Sequence, residues 1–263
     1  MIRSLNTAER AMQLEQVRID ALANNLANVN TTGFKQILTR VAQPDDPNGG
    51  GGTNPGQQVQ AQTGARQTPG TGNWAPVTRM DLTHALDNRR GPVTATGRDT
   101  DIAVMGDGFF ELATPDGPVY TRDGSFTVNA QQQLTSADGK LVQGEGGPIT
   151  LDGKDFAVGP DGTVTVDGRP AGRLKLVEFD DPTRLEHMGD GVVRAPDFLE
   201  PKPVPQDRVV VAQGHLEGSN VNPIDTLVAL ITAQRAFEVQ SKVMKTEDDL
   251  LSKSVNTLPR VNA

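Results

Sequence analysis

The sequence contains no cysteine and few aromatic side chains, and both shortages restrict the possible protein classes. The absence of cysteine excludes a disulfide framework and a thiolate metal site. Aromatic residues make up only 4% of the chain, so any hydrophobic core is modest and mainly aliphatic. Glycine and proline are plentiful instead, with 28 and 18 residues, and indicate a chain rich in turns.

Positive charge and long apolar runs are also scarce. The 33 acidic residues outnumber the 25 lysines and arginines, which gives a net charge of -8. This balance argues against a protein that neutralises nucleic-acid phosphates or binds membranes through a basic surface. No run reaches the roughly 18 apolar residues of a membrane-spanning helix, and residues 1–14 lack the apolar core of a signal peptide. The chain is therefore expected to be cytosolic or to leave the cell without a cleaved signal peptide.

Residues capable of catalysis or metal binding form no recognisable motif. His84, His187 and His215 are isolated from one another, and none belongs to an H-x-H or H-x-x-x-H pair. Residues 106–108 lack the third glycine of a dinucleotide fingerprint. No EF-hand loop and no G-x-S-x-G elbow is present. The sequence therefore predicts no enzyme, no metal site and no cofactor.

The N-terminal segment has heptad periodicity, which predicts a helix from about residue 3 to residue 30. Two ladders lie three positions apart, and seven of their eight members are apolar: Leu5, Met12, Ile19 and Leu26; Ala8, Glu15, Leu22 and Val29. This spacing is typical of a coiled coil. An amphipathic helix packed on its own domain has a similar pattern and remains an alternative.

The end of this helix carries no charge over residues 22–34 and contains Asn24, Asn25 and Asn28. A helix end without charge is expected to be buried on most sides, and buried amides need hydrogen-bond partners. Since no partner is evident nearby in the sequence, we expect the partners to come from other chains. Gly33 is predicted to stop the helix.

The C-terminal segment mirrors this pattern and predicts a helix from about residue 221 to residue 256. Leu230, Phe237, Met244, Leu251 and Leu258 recur at intervals of seven. A second apolar set flanks that ladder: Ala229, Ala236, Val243 and Leu250. Ser219 or Asn220 is predicted to cap the helix, and Pro223 suits its first turn.

The middle of the chain has a different composition. Residues 43–76 are polar and rich in glycine, proline and glutamine, which predicts a flexible loop or arm. From about residue 92 to residue 213, polar and apolar residues alternate between Asp-Gly dipeptides. Alternation predicts strands, and Asp-Gly predicts tight hairpin turns between them.

Together these segments predict an α+β fold. The long N- and C-terminal helices pair as a coiled-coil-like core, with an inserted all-β domain that is antiparallel and rich in hairpins. The predicted domains are a discontinuous helical core domain, a flexible polar arm with a connector, and the all-β domain: residues 1–34 with 219–258, 35–90, and 91–218. An apolar helix face turned outward requires neighbouring subunits, so we expect a self-assembling protein. The predicted assembly interface consists of Leu5, Met12, Ile19, Leu22, Asn24, Asn25, Leu26, Asn28, Gly33, Leu230, Phe237, Met244 and Leu251.

Three stretches of the chain, in this order, resemble the signatures of the bacterial flagellar basal-body rod and hook family. They are residues 23–28 with Thr31, Gly33 and Phe34; residues 106–110 with 120–126; and residues 214–222 with 233–238. Only residues 36–90 lack such a match. The resemblance implies a structural, non-enzymatic subunit of the periplasm-spanning rod, whose terminal helices pack with those of other copies and of other rod and hook subunits. It also implies export through the flagellar type III apparatus, with no nucleic-acid partner and no small-molecule substrate.

The resemblance to particular members of the family is divided. Residues 143–149 and 172–177 are similar to proximal-rod proteins, whereas residues 1–5 and 234–238 are similar to distal-rod proteins. The low apolar content after Phe34 favours the proximal rod, and the distal rod is the alternative. A secreted oligomeric β-domain binding module is a third possibility, although one tyrosine and one tryptophan leave little surface for stacking on sugars.

Overall fold

A computed structural model describes residues 2–42, 81–153 and 155–257. Contacts divide the chain into two compact units, Met1–Thr39 with His84–Ala263, and Arg40–Thr83. The predicted flexible segment 43–76 lies outside the described residues. Within the described residues, no helix is both long enough and apolar enough to cross a membrane.

Two α-helices occur in the described part of the chain, one near each end. Helix α1 spans Ile2–Ala27 and helix α2 spans Pro223–Thr257. Asn222 caps α2, since its Oδ1 accepts hydrogen bonds from the backbone N–H groups of Ile224 (3.0 Å) and Asp225 (3.4 Å). The prediction that Ser219 or Asn220 caps this helix is therefore wrong. Pro223 occupies the first helical position, where the missing N–H costs nothing.

The residues between the helices form short strands, and every strand pair with a described register is antiparallel. The strands are β1 (Ile37–Ala42), β2 (Asp81–Leu86), β3 (Val93–Ala95), β4 (Ile102–Val104), β5 (Phe109–Thr114), β6 (Gly117–Thr121), β7 (Thr127–Val128), β8 (Leu134–Thr135), β9 (Leu141–Gly144), β10 (Gly147–Pro148), β11 (Phe156–Val158), β12 (Thr163–Val166), β13 (Arg169–Arg173), β14 (Leu176–Glu178), β15 (Glu186–Gly189), β16 (Val192–Arg194), β17 (Lys202–Pro203), β18 (Val211–Gln213) and β19 (His215–Glu217). A short 3-10 helix spans Pro182–Arg184.

The largest sheet has the order β15-β16-β6-β5-β9-β8-β7. In addition, β10 pairs with β9, β14 pairs with β5, and β17 pairs with β14. Strands β11, β12 and β13 form a second sheet, while β1 pairs with β2, β18 with β4, and β19 with β3. Several Asp-Gly dipeptides lie in turns between paired strands, as the sequence predicts, whereas Asp107-Gly108 and Asp123-Gly124 connect strands that do not pair. In Asp167-Gly168 and Asp190-Gly191 all four φ angles are positive, between 49° and 76°, as two-residue hairpin loops require.

The hydrophobic core lies among the strands and the loops that join them. One cluster is centred on Phe110, Leu112 and Phe126, and a second on Phe109, Tyr120 and Phe179. Of the side chains that the structure describes on α1 and α2, none belongs to either cluster. Stability of the described part therefore rests mainly on burial between strands.

The predicted α+β fold with a coiled-coil-like helical core is therefore wrong. The fold is a large antiparallel β part with two terminal helices that lie outside its core. The helices contact each other, but among their described side chains Ala21 and Ala233 are the only buried hydrophobic ones. A heptad repeat shows how apolar residues are spaced, and it does not show whether their face is buried within the same chain.

Candidate assembly interface

The end of α1 is stabilised by hydrogen bonds between its own polar side chains. The Asn28 amide Nδ2 donates to the backbone oxygen of Asn24 at 2.9 Å. Thr31 Oγ1 in turn donates to Asn28 Oδ1 at 3.1 Å. The Asn24 backbone oxygen, which also accepts the Asn28 backbone N–H at 3.1 Å, thus gains a second donor where the helix ends.

Asn25 connects the end of α1 to the start of β1. Its side chain is completely buried. Its Nδ2 donates to the Ile37 backbone oxygen, and its Oδ1 accepts from the Ile37 N–H, both at 2.8 Å. This two-way pairing imitates one rung of a β-ladder. The expectation that the amide partners come from other chains is therefore wrong for Asn25.

Gly33 allows the chain to turn closely against the β part. Its φ of +66° is a left-handed conformation, and its N–H donates to the Glu217 backbone oxygen at 2.7 Å. A Cβ at this position would lie against the backbone nitrogen of Asp123 and 2.7 Å from the Arg122 oxygen. Only glycine fits this approach without a shift of backbone.

Phe34 anchors the same turn. Its ring is fully buried and meets the His187 ring edge to face, with 5.4 Å between centroids. Burial lowers the pKa of His187 below its ordinary value, and Asp190 partly opposes this effect. The neutral imidazole is thus the form that suits the packed turn.

A buried ion triad lies directly beside this turn. Glu217 Oε1 is 2.6 Å from Lys35 Nζ, and Glu217 Oε2 is 3.1 Å from Arg122 Nη1. The three side chains are between 1% and 4% exposed. Glu217 Oε1 also accepts the Gly91 N–H at 3.0 Å. Charged side chains are rarely buried to this extent unless they are paired.

The triad carries two positive charges and one negative charge. Burial raises the pKa of Glu217, but the attraction of Arg122 and Lys35 outweighs it, so this pKa lies below its ordinary value. Burial lowers the pKa of Lys35, and the attraction of Glu217 only partly offsets that effect. The pKa values of Glu217 and Lys35 are thus both lowered. Glu217 is attracted by two cations, whereas Lys35 is attracted by one carboxylate and repelled by Arg122.

Asn220 completes the junction beside the triad. Its Oδ1 accepts the Gln36 N–H at 2.7 Å, and its Nδ2 donates to the backbone oxygens of Asp87 and Arg89, both at 2.9 Å. One side chain therefore joins the segment after α1, the segment after β2 and the segment before α2. We call Lys35, Arg122, Glu217 and Asn220 the polar junction.

Small side chains line the contact between the two helices. Ala21 is 6% exposed on α1, and Thr226 and Ala233 are 3% and 1% exposed on α2. A cavity of about 530 Å³ lies between the end of α1 and the start of α2, with Leu22 and Ala229 in its wall. This contact leaves most of the larger apolar side chains of α2 outside it.

The opposite face of α2 is apolar and exposed. Its large exposed side chains are Ile224, Leu227, Val228, Ile231, Val239, Val243 and Leu250. Since helical residues advance by about 100° each, Ala233 lies about 180° from Ile224. Over residues 224–231, α2 is therefore mostly apolar both where it packs in its own chain and where it faces away, whereas farther along the helix exposed Arg235 and Lys242 lie on the outer face. A stretch that is apolar on both sides is expected to be buried in the functional state.

Comparison with known families gives matches in the same three regions. Residues 5–35 match "Flagella basal body rod protein", residues 103–166 match "Flagellar hook protein FlgE/F/G D1 domain", and residues 212–258 match "Flagellar basal body rod FlgEFG protein C-terminal". The flagellar basal-body rod protein FlgF of Caulobacter vibrioides is 34% identical over 258 residues, which cover 96% of each chain. The chain belongs to the flagellar basal-body rod protein family.

Two further relatives of this rod-family chain are FlgG proteins. The flagellar basal-body rod protein FlgG of Buchnera aphidicola subsp. Baizongia pistaciae is 32% identical, over 96% of this chain and 98% of the relative. FlgG of Bacillus subtilis is 30% identical, over 97% of this chain and 99% of the relative. Similarity to both FlgF and FlgG extends over nearly the whole chain.

Each of the three matched regions of the rod-family chain contains one charged residue of the polar junction. Lys35 ends the first region, Arg122 lies in the second, and Glu217 lies in the third. The pairing of these three residues was not recognised from the sequence, because they lie far apart in the chain. Sequence reasoning also missed Asn220 as a bridge, and of the exposed apolar side chains of α2 it named Val243 and Leu250 but not Ile224, Leu227, Val228, Ile231 or Val239.

The predicted interface residues of the rod-family chain occupy different environments. Seven are half-buried: Met12, Ile19, Leu22, Leu26, Leu230, Phe237 and Met244. Asn24 is exposed, Asn28 is half-buried, and Asn25 and Gly33 are buried in the turn of their own chain. The side chains of Leu5 and Leu251 lie outside the described ones. Contact of these residues with other subunits stays a prediction.

Proposed function

We propose that this rod-family chain is a structural, non-catalytic subunit that assembles through its terminal helices into the axial rod of the flagellar basal body. The observation that carries the proposal is the apolar outer face of α2, where Ile224 is 72% exposed and Val228 is 59% exposed. An exposed apolar surface of this extent is typical of a protein–protein interface. Each such side chain contributes about 1.5–3 kcal/mol when fully buried.

The partners in this proposal are other copies of the chain and other rod and hook subunits. The residues offered for these contacts are the outer face of α2 together with the half-buried ladder positions, such as Leu26 and Leu230. The antiparallel β part would then lie outside the packed helices. Export through the flagellar type III apparatus, without a cleaved signal peptide, belongs to the same proposal and places the protein in the periplasm-spanning rod.

A charged substitution on the outer face of α2 is expected to block assembly. We expect Val228→Asp combined with Ile231→Asp to abolish incorporation into basal bodies, because two carboxylates would be buried without partners. Immunoblots of purified basal bodies measure incorporation. The Tm of the purified subunit should change little, since both side chains are exposed and absent from the core.

Gln131→Asp provides the control for this substitution. Gln131 is exposed in a turn of the β part, so the change adds charge without touching α2. Incorporation of this variant should equal that of the wild type. Normal incorporation of the Val228→Asp, Ile231→Asp variant would show that the outer face of α2 is not an assembly surface.

Within the rod family, we propose that the chain is of the FlgF type and occupies the proximal rod. The FlgF protein of Caulobacter vibrioides is 34% identical to the chain, against 32% for FlgG of the same organism. A distal-rod subunit of the FlgG type is the second candidate. Membership of the rod family leaves the secreted binding module without support.

The axial position of the protein separates the two candidates. A compact label attached at exposed Gln131 can be located by electron microscopy of isolated basal bodies. We expect the label in the part of the rod nearest the inner membrane. A label confined to the outer part of the rod would instead assign the chain to the FlgG type.

A further inference from the structure

Strand β3 forms a sheet edge that no strand in the described part of the chain covers. It pairs only with β19, and residues 92–99 are all exposed. Residues 91–97 carry no charge. Pro92 precedes the strand, and its backbone oxygen accepts the Gly218 N–H on the side of β19. Native proteins usually protect a free edge with charge, proline or a bulge. An edge without such protection is expected to be covered in the functional state.

The register between β3 and β19 shows which backbone groups point away from the pair. In an antiparallel pair, only alternate residues exchange hydrogen bonds with the partner strand. The Thr96 N–H donates to the Gly214 oxygen at 2.8 Å, and the register has no shift along β3. Thr94 therefore faces β19 as well, whereas the N–H and C=O groups of Val93 and Ala95 point outward. These four groups can form a ladder with one more strand.

A second free edge lies at the end of the largest sheet. Strand β15 pairs with β16 on one side, and no described strand pairs with its other side. Glu186 and Met188 on this strand are exposed, and Met188 is 50% exposed. Other edges are less suited to pairing. Strands β13 and β17 each contain a proline, which lacks an N–H donor, and β7 has only two residues.

The free edges of β3 and β15 have opposite charges at their ends. Arg90 and Arg98 border the uncharged stretch that contains β3, and they are 50% and 59% exposed. Each has an ion pair in its own chain at 3.5 Å or longer. Glu186 begins β15 and exposed Asp190 follows it, and neither acid has an ion pair with any described residue. This charge pattern favours pairing of the two unlike edges and disfavours pairing of either edge with its own kind.

We propose that in the rod the free edge of β3 pairs with the free edge of β15 of a second copy of the chain. The contact joins two different edges, so it is heterologous, and repeating such a contact without closure builds an open helical filament. Strand β19, the partner of β3, leads into α2, so the new contact continues the proposed helix interface. The inference deepens the proposed function and rests on it. The pairing forms between assembled subunits and needs no particular arrangement of the helices beforehand.

Cysteine cross-linking tests which edge meets β3. The chain contains no cysteine, so Thr94→Cys and Met188→Cys each place a single thiol at one of the two edges. The two variants are produced together in one cell, and isolated basal bodies are treated with a short bismaleimide. We expect a dimer linked between residues 94 and 188, identified by mass spectrometry. Basal bodies that contain both variants but yield no such dimer would overturn the proposal.

Each cysteine variant produced alone is the control for this cross-link. Like edges should not meet, so neither Thr94→Cys nor Met188→Cys alone should give a dimer. A dimer from Thr94→Cys alone would show that β3 meets β3 of its neighbour and would contradict the proposed pairing. A cross-link from residue 94 to a different rod protein, in place of the dimer, would contradict the choice of a second copy.

Ala95→Pro tests the hydrogen bonds of the same edge. Proline removes the outward N–H of residue 95 and places its ring there, while the bonds of residues 94 and 96 to β19 remain. We expect incorporation into basal bodies, measured by immunoblot, to fall at least about tenfold, because a ladder hydrogen bond is lost and the ring meets the neighbour's strand. The Tm of the purified subunit should change little, since Ala95 is exposed. Normal incorporation of Ala95→Pro would overturn the proposal.

Ala95→Ser is the matched control, because it changes the side chain and keeps the N–H. It should be incorporated like the wild type. A loss equal to that of Ala95→Pro would show that the backbone donor is unimportant. Val93→Pro removes the other outward N–H and should repeat the effect of Ala95→Pro.

Failure of this contact can be distinguished from failure of the proposed function. The Val228→Asp, Ile231→Asp variant tests the helix surface and leaves β3 and β15 unchanged. If that variant is excluded from basal bodies while Ala95→Pro is incorporated normally, only the pairing of β3 with β15 is wrong. If both are incorporated normally, the outer face of α2 is not an assembly surface either.

Discussion

Glu217→Gln is expected to lower the free energy of unfolding by about 3–5 kcal/mol, because it leaves two buried cations without their anion. For a chain of this length the loss corresponds to a fall in Tm of roughly 10 °C. The amide keeps the shape of the carboxylate, and it still accepts the Gly91 N–H that Glu217 Oε1 accepts now. Differential scanning calorimetry of the purified subunit measures the change.

The effect of Glu217→Gln should depend on pH. The pKa of Glu217 lies below its ordinary value, since Arg122 and Lys35 outweigh the opposing effect of burial. The wild type therefore has this stabilisation in full above the ordinary glutamate pKa and loses it as pH falls through the lower pKa of the folded protein. The difference in Tm between variant and wild type should shrink over that acidic range.

Glu178→Gln is the matched control for Glu217→Gln. Glu178 Oε1 is 2.6 Å from Arg208 Nη2, but the Arg208 side chain is 55% exposed. Removing an exposed pair costs less than about 1 kcal/mol. Equal losses in the two variants would contradict the claim that burial makes the triad important.

Gly33→Ala is expected to destabilise the subunit by about 2–5 kcal/mol. About 1–2 kcal/mol comes from the left-handed backbone that alanine disfavours, and a further 1–3 kcal/mol, approximately, comes from the crowding of the new methyl group. The φ of Gly33 is +66°, and the new Cβ would meet the backbone of Arg122 and Asp123. Urea unfolding followed by circular dichroism gives the free energy.

Gly139→Ala separates the two contributions to the Gly33 effect. Gly139 has a similar φ of +79°, and a Cβ there would meet no atom within 4 Å. This variant should show only the backbone cost of about 1–2 kcal/mol. If Gly33→Ala destabilised the subunit no more than Gly139→Ala, the close approach to residues 122–123 would have no energetic importance.

The sequence predicts local structure well where one physical signal dominates. Alternation and Asp-Gly dipeptides predict hairpins, and Asp167-Gly168 and Asp190-Gly191 form them with the positive φ angles expected. A residue such as Phe34 is recognisable from the family resemblance, although its burial against His187 is not. Such signals lie within a few residues of one another and need no knowledge of the rest of the fold.

The location of the core could not be predicted in the same way. The heptad ladders of α1 and α2 suggest a helical core, but the buried clusters lie among the strands. Spacing reveals an apolar face, and it cannot tell whether the same chain covers that face. Helix α2 has apolar residues on two faces, and the ladder through Leu230 describes only one of them.

The polar junction was hidden from the sequence for a different reason. Lys35, Arg122 and Glu217 are far apart in the chain, and each alone resembles an ordinary surface charge. Asn25 was recognised as buried, but its partner Ile37 lies only 12 residues away in its own chain. A hydrogen bond to a backbone group cannot be recognised from the residue type of the partner. The sequence therefore suggested that the partners of Asn25 come from other subunits.

The Lys35–Glu217 pair also sets an order of events. The two residues are 182 positions apart. A chain that is synthesised from its N-terminus therefore contains α1 long before it contains Glu217. Closing so long a loop carries a large entropic cost until the intervening strands have folded and shortened the effective distance. Until that moment, contacts over shorter stretches of chain, such as that of Asn25 with Ile37, are available to the first helix without Glu217. A C-terminal truncation before Glu217 therefore removes the anchor of the opposite end of the molecule.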